Sequence, residues 1–336
     1  MKKFFASLVM LLSLSAASVF AQSSLIATLS HEGEVTMFYG ASALQQAHEA
    51  AAHGDVITLS SGTFSAVNIE KAITLRGAGF ESDVENNLYP TTIAGEFNIN
   101  KTGGITTGKV LIEGIYSNDR ILGHNLPETT FMKCRLSRIQ FSSSIPSGGV
   151  TFIHCKIVSY SGTQIPTLFV NSFICTPSTS NGQGIEYVNC ILYYSGDDRI
   201  DTKGNFVLKN CIVVLAGQEN SHSHFTSSSS AYKCIAVDDS GNVWRDLSNA
   251  SVYTGVNYSD IFSTFTGAYS DTESFELTDE AKAKYLGLDG TEIGIYGGSL
   301  PFDPRTSAPQ ITKFNVATKS TVDGKLSVDI EVKGVE

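Results

Sequence analysis

Gly196-Asp197-Asp198 is the run in this chain whose chemistry is easiest to name. Paired carboxylates serve glycoside hydrolysis, one protonating the leaving oxygen while the other attacks or activates water. His222-Ser223-His224 places two imidazoles on one face of a strand, the arrangement of a metal-ligand pair. Asp238 and Asp239, together with Asp197, Asp198 and Asp201, offer the hard oxygens that Ca²⁺ prefers. Tyr160, Tyr193 and Tyr194, with Tyr253 and Tyr258, would serve as stacking platforms for sugar rings if they lie on the surface. Each feature also has a plainer explanation. The segment 195–204 reads as a surface turn, the histidine pair lacks a third ligand, and no acidic loop spacing compels a Ca²⁺ site. Tyrosine in a strand-rich chain is commonly a core residue. Arg135, Arg138, Lys156, Lys209 and Lys233 are basic residues near the repeat described below, and the sequence does not cluster them. Carboxylates and bases converging in one groove would favour an enzyme; flat polar faces with a tyrosine stripe would favour a binding protein.

The elements that must position these residues follow from a repeat. An apolar–polar–small station recurs as Leu75-Arg76-Gly77, Ile93-Ala94-Gly95, Ile112-Glu113-Gly114 and Met132-Lys133-Cys134. It continues as Ile153-His154-Cys155, Val170-Asn171-Ser172, Val188-Asn189-Cys190, Lys209-Asn210-Cys211 and Tyr232-Lys233-Cys234. Successive third residues are 18, 19, 20, 21, 17, 18, 21 and 23 apart, a period that signals a solenoid of short strands. Leu75, Ile93, Ile112, Met132, Ile153, Val170 and Val188 are expected to form an inward aliphatic ladder, which Lys209 and Tyr232 break at a bulge or change of register. Phe131, Phe152, Phe169 and Tyr187, one step earlier, are expected to stack. Asn171, Asn189 and Asn210 suit a left-handed turn. Cys134, Cys155, Cys190, Cys211 and Cys234 share one station, so stacked coils would aim their Cβ bonds in parallel. They read as buried free thiols rather than disulfides. Cys175 is off this ladder.

Around the repeat, 25–39 reads as leading strands and 41–52 as an amphipathic helix capped by Ser42. Residues 55–59 and 64–69 read as strands, Thr278 as the cap of a short helix, and 292–298 as a last strand and turn. Pro301, Pro304 and Pro309 mark a linker, and 311–317 with 326–332 read as a strand pair turning at Asp323-Gly324.

The run Ala43-Leu44-Gln45, Gly54-Asp55-Val56-Ile57, Ser61-Gly62-Thr63-Phe64 and Ile73-Thr74-Leu75-Arg76-Gly77-Ala78-Gly79 resembles the start of right-handed parallel β-helix proteins of the pectin-lyase-like superfamily. Val188-Asn189-Cys190-Ile191 and Lys209-Asn210-Cys211-Ile212 are similar to that superfamily's coils, and the tail resembles Bacteroides-type secreted β-helix proteins. The resemblance spans roughly residues 40–300. It implies a fold and leaves activity open, because the superfamily holds lyases, hydrolases, esterases and adhesins. Polygalacturonase-type members carry a Gly-Asp-Asp with a His about one coil later, where His222 or His224 would stand. Their Asn-X-Asp and Arg-X-Lys partners are missing here.

Residues 1–21 read as a secretory signal peptide: Lys2 and Lys3, an apolar run, then Val19-Phe20-Ala21. No later stretch is apolar enough to span a bilayer. Without Lys2 and Lys3 the chain has 21 basic residues against 33 acidic, a net charge near −12. That balance excludes a nucleic-acid footprint and opposes polyuronate unless a local basic groove overrides the global charge. The expected organisation is 1–21 signal peptide, 25–300 all-β right-handed parallel β-helix with an N-terminal helical cap, 301–309 linker and 310–336 C-terminal hairpin. The expected setting is secreted, periplasmic or on the outer surface of a Gram-negative bacterium. The expected function is non-catalytic binding or scaffolding with polysaccharide or cell-surface partners. The alternative is a polysaccharide lyase or glycoside hydrolase with a diverged site.

Overall fold

The structure is a computed structural model describing residues 25–82, 89–142, 148–163, 165–175, 177–178, 184–195, 205–216, 225–237, 243–247, 250–265, 270, 273–305, 310–316, 323–325 and 327–333. The chain folds as a right-handed parallel β-solenoid of about seven turns. A first sheet stacks Val56–Leu59, Thr74–Arg76, Lys109–Glu113, Glu128–Met132, Val150–Ile153, Thr167–Val170, Ile185–Val188 and Phe206–Lys209, all in parallel register. A second sheet runs through Ile115–His124, Arg135–Ser142, Lys156–Thr163, Phe173–Cys175, Ile191–Ser195, Ile212–Ala216 and Ser230–Val237. The longer of these strands carry on past a bend into a third sheet, which includes Phe97–Ile99.

The inward row of the first sheet is Leu75, Ile112, Phe131, Phe152, Phe169, Tyr187 and Leu208, each wholly buried. This corrects the expected aliphatic ladder in two ways. Ile112 aligns with Phe131, not Met132, so Met132, Ile153, Val170 and Val188 lie on the outer face and are only half-buried. Side chains alternate along a strand, and a one-residue shift in alignment exchanges the two faces. Ile93 also leaves the column, because it pairs with Phe64 and Ser117. Arg76 and Glu113 are register partners 37 residues apart, so one wide coil lies between them and Ile93 sits on another side of it. The aromatic stack is as expected: ring centres of Phe131, Phe152, Phe169 and Tyr187 follow at 5.1, 4.9 and 4.8 Å, nearly parallel.

Each coil turns from the first sheet to the second at one left-handed residue: Lys133, His154, Asn171, Asn189, Asn210 and Lys233 have φ of 52, 53, 43, 52, 55 and 52°. The next residue points inward. Cys134, Cys155, Ser172, Cys190, Cys211 and Cys234 form that column, fully buried, and the cysteines are unbridged. Each thiol donates to the carbonyl two residues earlier, at 3.2–3.3 Å. The column therefore closes the turn that the left-handed residue opens. Cys175 is buried too, but on the outer side of the second sheet.

The helix Ala43–Ala50 buries Ala43, Leu44 and Ala47 over the first coil. Ser42 precedes it without capping it; its Oγ accepts from Gln46 instead. Ile26–His31 pairs antiparallel with Glu34–Tyr39 and with Val56–Leu59, covering the open end. The strand expected at 64–69 is split into Gly62–Ser65 and Asn68–Ile69.

Beyond Val256 the chain leaves the stack, and its described residues within 258–265 and 273–302 pack over the outside of the second sheet. It forms short helices at Tyr258–Ile261 and Asp279–Lys284, the latter capped by Thr278 as expected (Ala281 N to Oγ1, 3.2 Å). Residues 292–298 form turns rather than the expected strand, with Gly294 and Gly298 at φ 84 and 79°. The C-terminal hairpin pairs Gln310–Val316 antiparallel with Val328–Lys333.

Candidate binding cleft

The outward row of the second sheet reads Tyr116, Arg135, Lys156, Phe173, Ile191, Ile212 and Ile235 in register. Its composition switches from polar to apolar at Phe173. The apolar end, with Tyr193, Val214 and Val237 beside it, packs under Phe262, Phe265, Phe275 and Ile295 of the returning segment. Water exclusion from so much apolar surface holds that segment in place.

Its line of travel is fixed by the left-handed corners. Asn210 Oδ1 accepts from Leu288 N at 2.8 Å, and Asn210 O accepts from Gly294 N at 2.8 Å. Asn171 Nδ2 donates to Ile295 O and Gly297 O at 2.8 and 2.7 Å, and Asn189 Nδ2 to Gly297 O at 3.3 Å. His154 Nε2 reaches Leu300 O at 3.0 Å. A Cβ on Gly298 would collide with the Asn189 amide, so only glycine lets the segment close here. The strap thus runs back along the stack, one coil corner after another.

Where the apolar row gives way to Lys156 and Arg135, a cleft of about 550 Å³ opens. Phe80, Tyr116, Phe173, Tyr296 and Phe302 supply aromatic wall. Arg135 lies over the Tyr116 ring at 5.0 Å, and Phe275 stacks on Phe173 at 4.8 Å. Lys156 Nζ sits 5.9 Å from both the Phe80 and Phe302 rings and 2.8 Å from Glu81 Oε1. Glu273 Oε1 accepts from Thr264 Oγ1 and Phe275 N at 2.7 and 3.0 Å. Tyr296 donates to Ser274 O at 2.8 Å, and burial, with Glu276 and Glu81 nearby, pushes its hydroxyl up to about 12. Two cations, two carboxylates and stacked rings therefore share one concave site, the chemistry of a polar-ligand pocket. A second, shallower groove of about 500 Å³ lies on the third sheet, where His124 Nδ1 is 3.1 Å from Ser142 Oγ. His124 has no carboxylate partner among the described residues, so the orienting member of a nucleophilic triad is missing.

The structure corrects the tyrosine platforms. Tyr160 is fully buried in the main core, its hydroxyl 2.6 Å from Thr167 Oγ1, and Tyr194 is buried there too. Tyr193 is buried under the returning segment. Inward-facing rings in a solenoid cannot meet a ligand outside it. Asp197, Asp198, Asp201, His222, His224, Asp238 and Asp239 lie outside the described residues. Among the described residues no group of three His, Cys, Asp or Glu is placed to hold a metal, and no helix is long and apolar enough to cross a membrane. Of the basic residues, Arg135 and Lys156 are brought together. Lys209 pairs with Glu186 at 2.6 Å on the first sheet, and Lys233 lies over Tyr253.

No family model matches the chain, and no curated protein or solved structure is similar enough to match it.

Proposed function

We propose that this is an exported, non-catalytic glycan-binding protein, a diverged member of the pectin-lyase-like superfamily acting in the periplasm or at the outer surface of a Gram-negative bacterium. The observation that carries this reading is the cleft itself: aromatic faces stand beside Arg135, Lys156, Glu81 and Glu273. Sugar rings present apolar C–H faces and directional hydroxyls, and such a wall meets both. Leader-like residues 1–21 motivate the export part. Titration calorimetry with an oligosaccharide panel tests binding. Tyr116→Ala, a half-buried wall residue, should weaken it at least about ten-fold. Failure of every saccharide to bind would overturn the reading.

Convergence of two bases and two carboxylates in one groove favours a second reading, a hydrolase or lyase. The hydrogen bonding argues against it. Glu81 accepts from the Lys156 ammonium, and Glu273 accepts from a hydroxyl and an amide, so neither carboxyl is set up to give a proton. Lys156 is committed to that ion pair rather than free as a base. New reducing ends or unsaturated products from any panel member would establish the enzyme instead.

A further inference from the structure

We infer that the ligand of this cleft is a neutral saccharide segment and not an acidic one; the inference rests on the glycan reading above and adds its charge class. The cleft is locally balanced. Lys156 already holds Glu81 at 2.8 Å, and Glu273 stands on the opposite, returning-segment wall beside Ser274 and Phe275. A uronate or sulfate approaching Lys156 would meet Glu81 already paired there and Glu273 across the cleft, two carboxylates that oppose an incoming anion. The chain's net charge of −10 adds repulsion at longer range.

Neutral hydroxyls face no such penalty. Each can donate to a carboxylate oxygen and accept from an ammonium or guanidinium, so the Lys156–Glu81 pair serves as a ready donor–acceptor couple for vicinal hydroxyls. Lys156 uses one of its three protons on Glu81, and Glu81 uses one of its two oxygens. The pair keeps its own bond while binding. The half-buried rings of Tyr116 and Tyr296 line the same cleft, backed by the buried Phe80 and Phe302, and offer apolar surface to the C–H faces of a pyranose. A cleft of about 550 Å³ takes a short segment or chain end.

The test is calorimetry on the full chain with xylo-, gluco-, manno- and galacto-oligosaccharides, and with oligogalacturonate and sulfated galacto-oligosaccharides. At least one neutral series should bind, with affinity changing less than about two-fold between ~0.02 and ~0.3 M NaCl, since no net charge is neutralised. Glu81→Gln should weaken that binding by about ten-fold and should not create oligogalacturonate binding. Glu81 is exposed and its replacement leaves the core intact; a matching melting curve verifies this for the variant. Acidic oligosaccharides binding tighter than every neutral one, with steep salt dependence, would overturn the inference while leaving the glycan reading standing. Absence of binding by every compound would overturn both.

Discussion

The backbone N–H of Cys155 donates to the hydroxyl oxygen of Ser172 on the next coil, at 3.0 Å. Ser172 Oγ in turn donates to Val170 O at 2.8 Å. Thiols do the same lower in the stack, where Cys190 N meets Cys211 Sγ at 3.5 Å and Cys211 N meets Cys234 Sγ at 3.4 Å. Ser172, Cys211 and Cys234 thus form a vertical relay, each satisfying the amide above it and the carbonyl of its own turn.

Ser172→Ala should therefore lower stability by about 1–3 kcal/mol, because it strands the buried Cys155 amide, while Val170 O keeps its bond from His154 N. Ser172→Cys should cost less than about 1 kcal/mol, since it extends the column in kind. Denaturant melts of the two variants check this. Equal losses would show that only volume matters at this position.

Burial raises the thiols of Cys134, Cys211 and Cys234 well above their usual range, and all six cysteines are unbridged and buried. Because the thiolate is the reactive form, an aromatic disulfide reagent should modify none in the native protein and six after denaturation. A native mass lowered by two hydrogens per pair would contradict the unbridged column.

Asn171→Gly keeps the left-handed backbone and removes the two bonds to Ile295 and Gly297. It should cost about 1–3 kcal/mol and speed hydrogen exchange across 288–300. Asn171→Val should cost a further ~1–3 kcal/mol, because a β-branched residue resists φ 43°. Indistinguishable variants would show that the backbone strain is relieved elsewhere.

Acidification should weaken the fold through two histidines. Burial lowers the pKa of both His154 and His48, with Lys133 adding to the effect at His154 and Lys71 at His48. For a group depressed in the folded state, the unfolded chain takes up the proton first. The contribution is thus complete above the unfolded value of about 6.5 and is lost as pH falls through the folded values. His31 has the opposite sign, its pKa raised by Asp55, but it is half exposed and its effect is screened. The melting temperature should fall between pH ~7.5 and ~5.5, and His154→Asn, the residue used at the neighbouring corners, should reduce that fall. An unchanged slope would remove His154 from the account.

Polygalacturonate should remain uncleaved with Ca²⁺ present, since net charge −10 opposes the polymer and Lys156 is tied to Glu81. Reducing-end and unsaturated-product assays measure this. Activity abolished by Asp198→Asn would locate a working carboxylate pair at 197–198.

Columns that repeat were readable from the sequence: the stacked Phe131, Phe152 and Phe169, the left-handed asparagines and the thiol column. Face assignment was less so. Met132 and Phe131 are adjacent and both apolar, and only strand pairing decides which faces inward. Ile93 misled because a wide coil mimics two ordinary ones. The cleft also has a legible signal in the sequence. The position after the small residue runs Arg135, Lys156, Phe173, Ile191, Ile212, Ile235, a change from charged to apolar on an outward row. Such a change means that something covers one end of the row and stops short of the other. What covers it, from Phe262 and Phe265 to Ile295 and Phe302, lies far along the chain and carries no repeat, so local pattern could not place it.

Solenoids whose repeats touch only their neighbours unzip from an end, one unit at a time. The returning strap alters that order of events here. By binding the corners at Asn210, Asn189, Asn171 and His154 in succession, it ties four coils to a single covalent segment. The last coils cannot fray independently while it stays seated, and the chain must close loops of more than a hundred residues to seat it. Folding of the outer layer is therefore a late, long-range event on an otherwise local stack, and unfolding should begin with its departure.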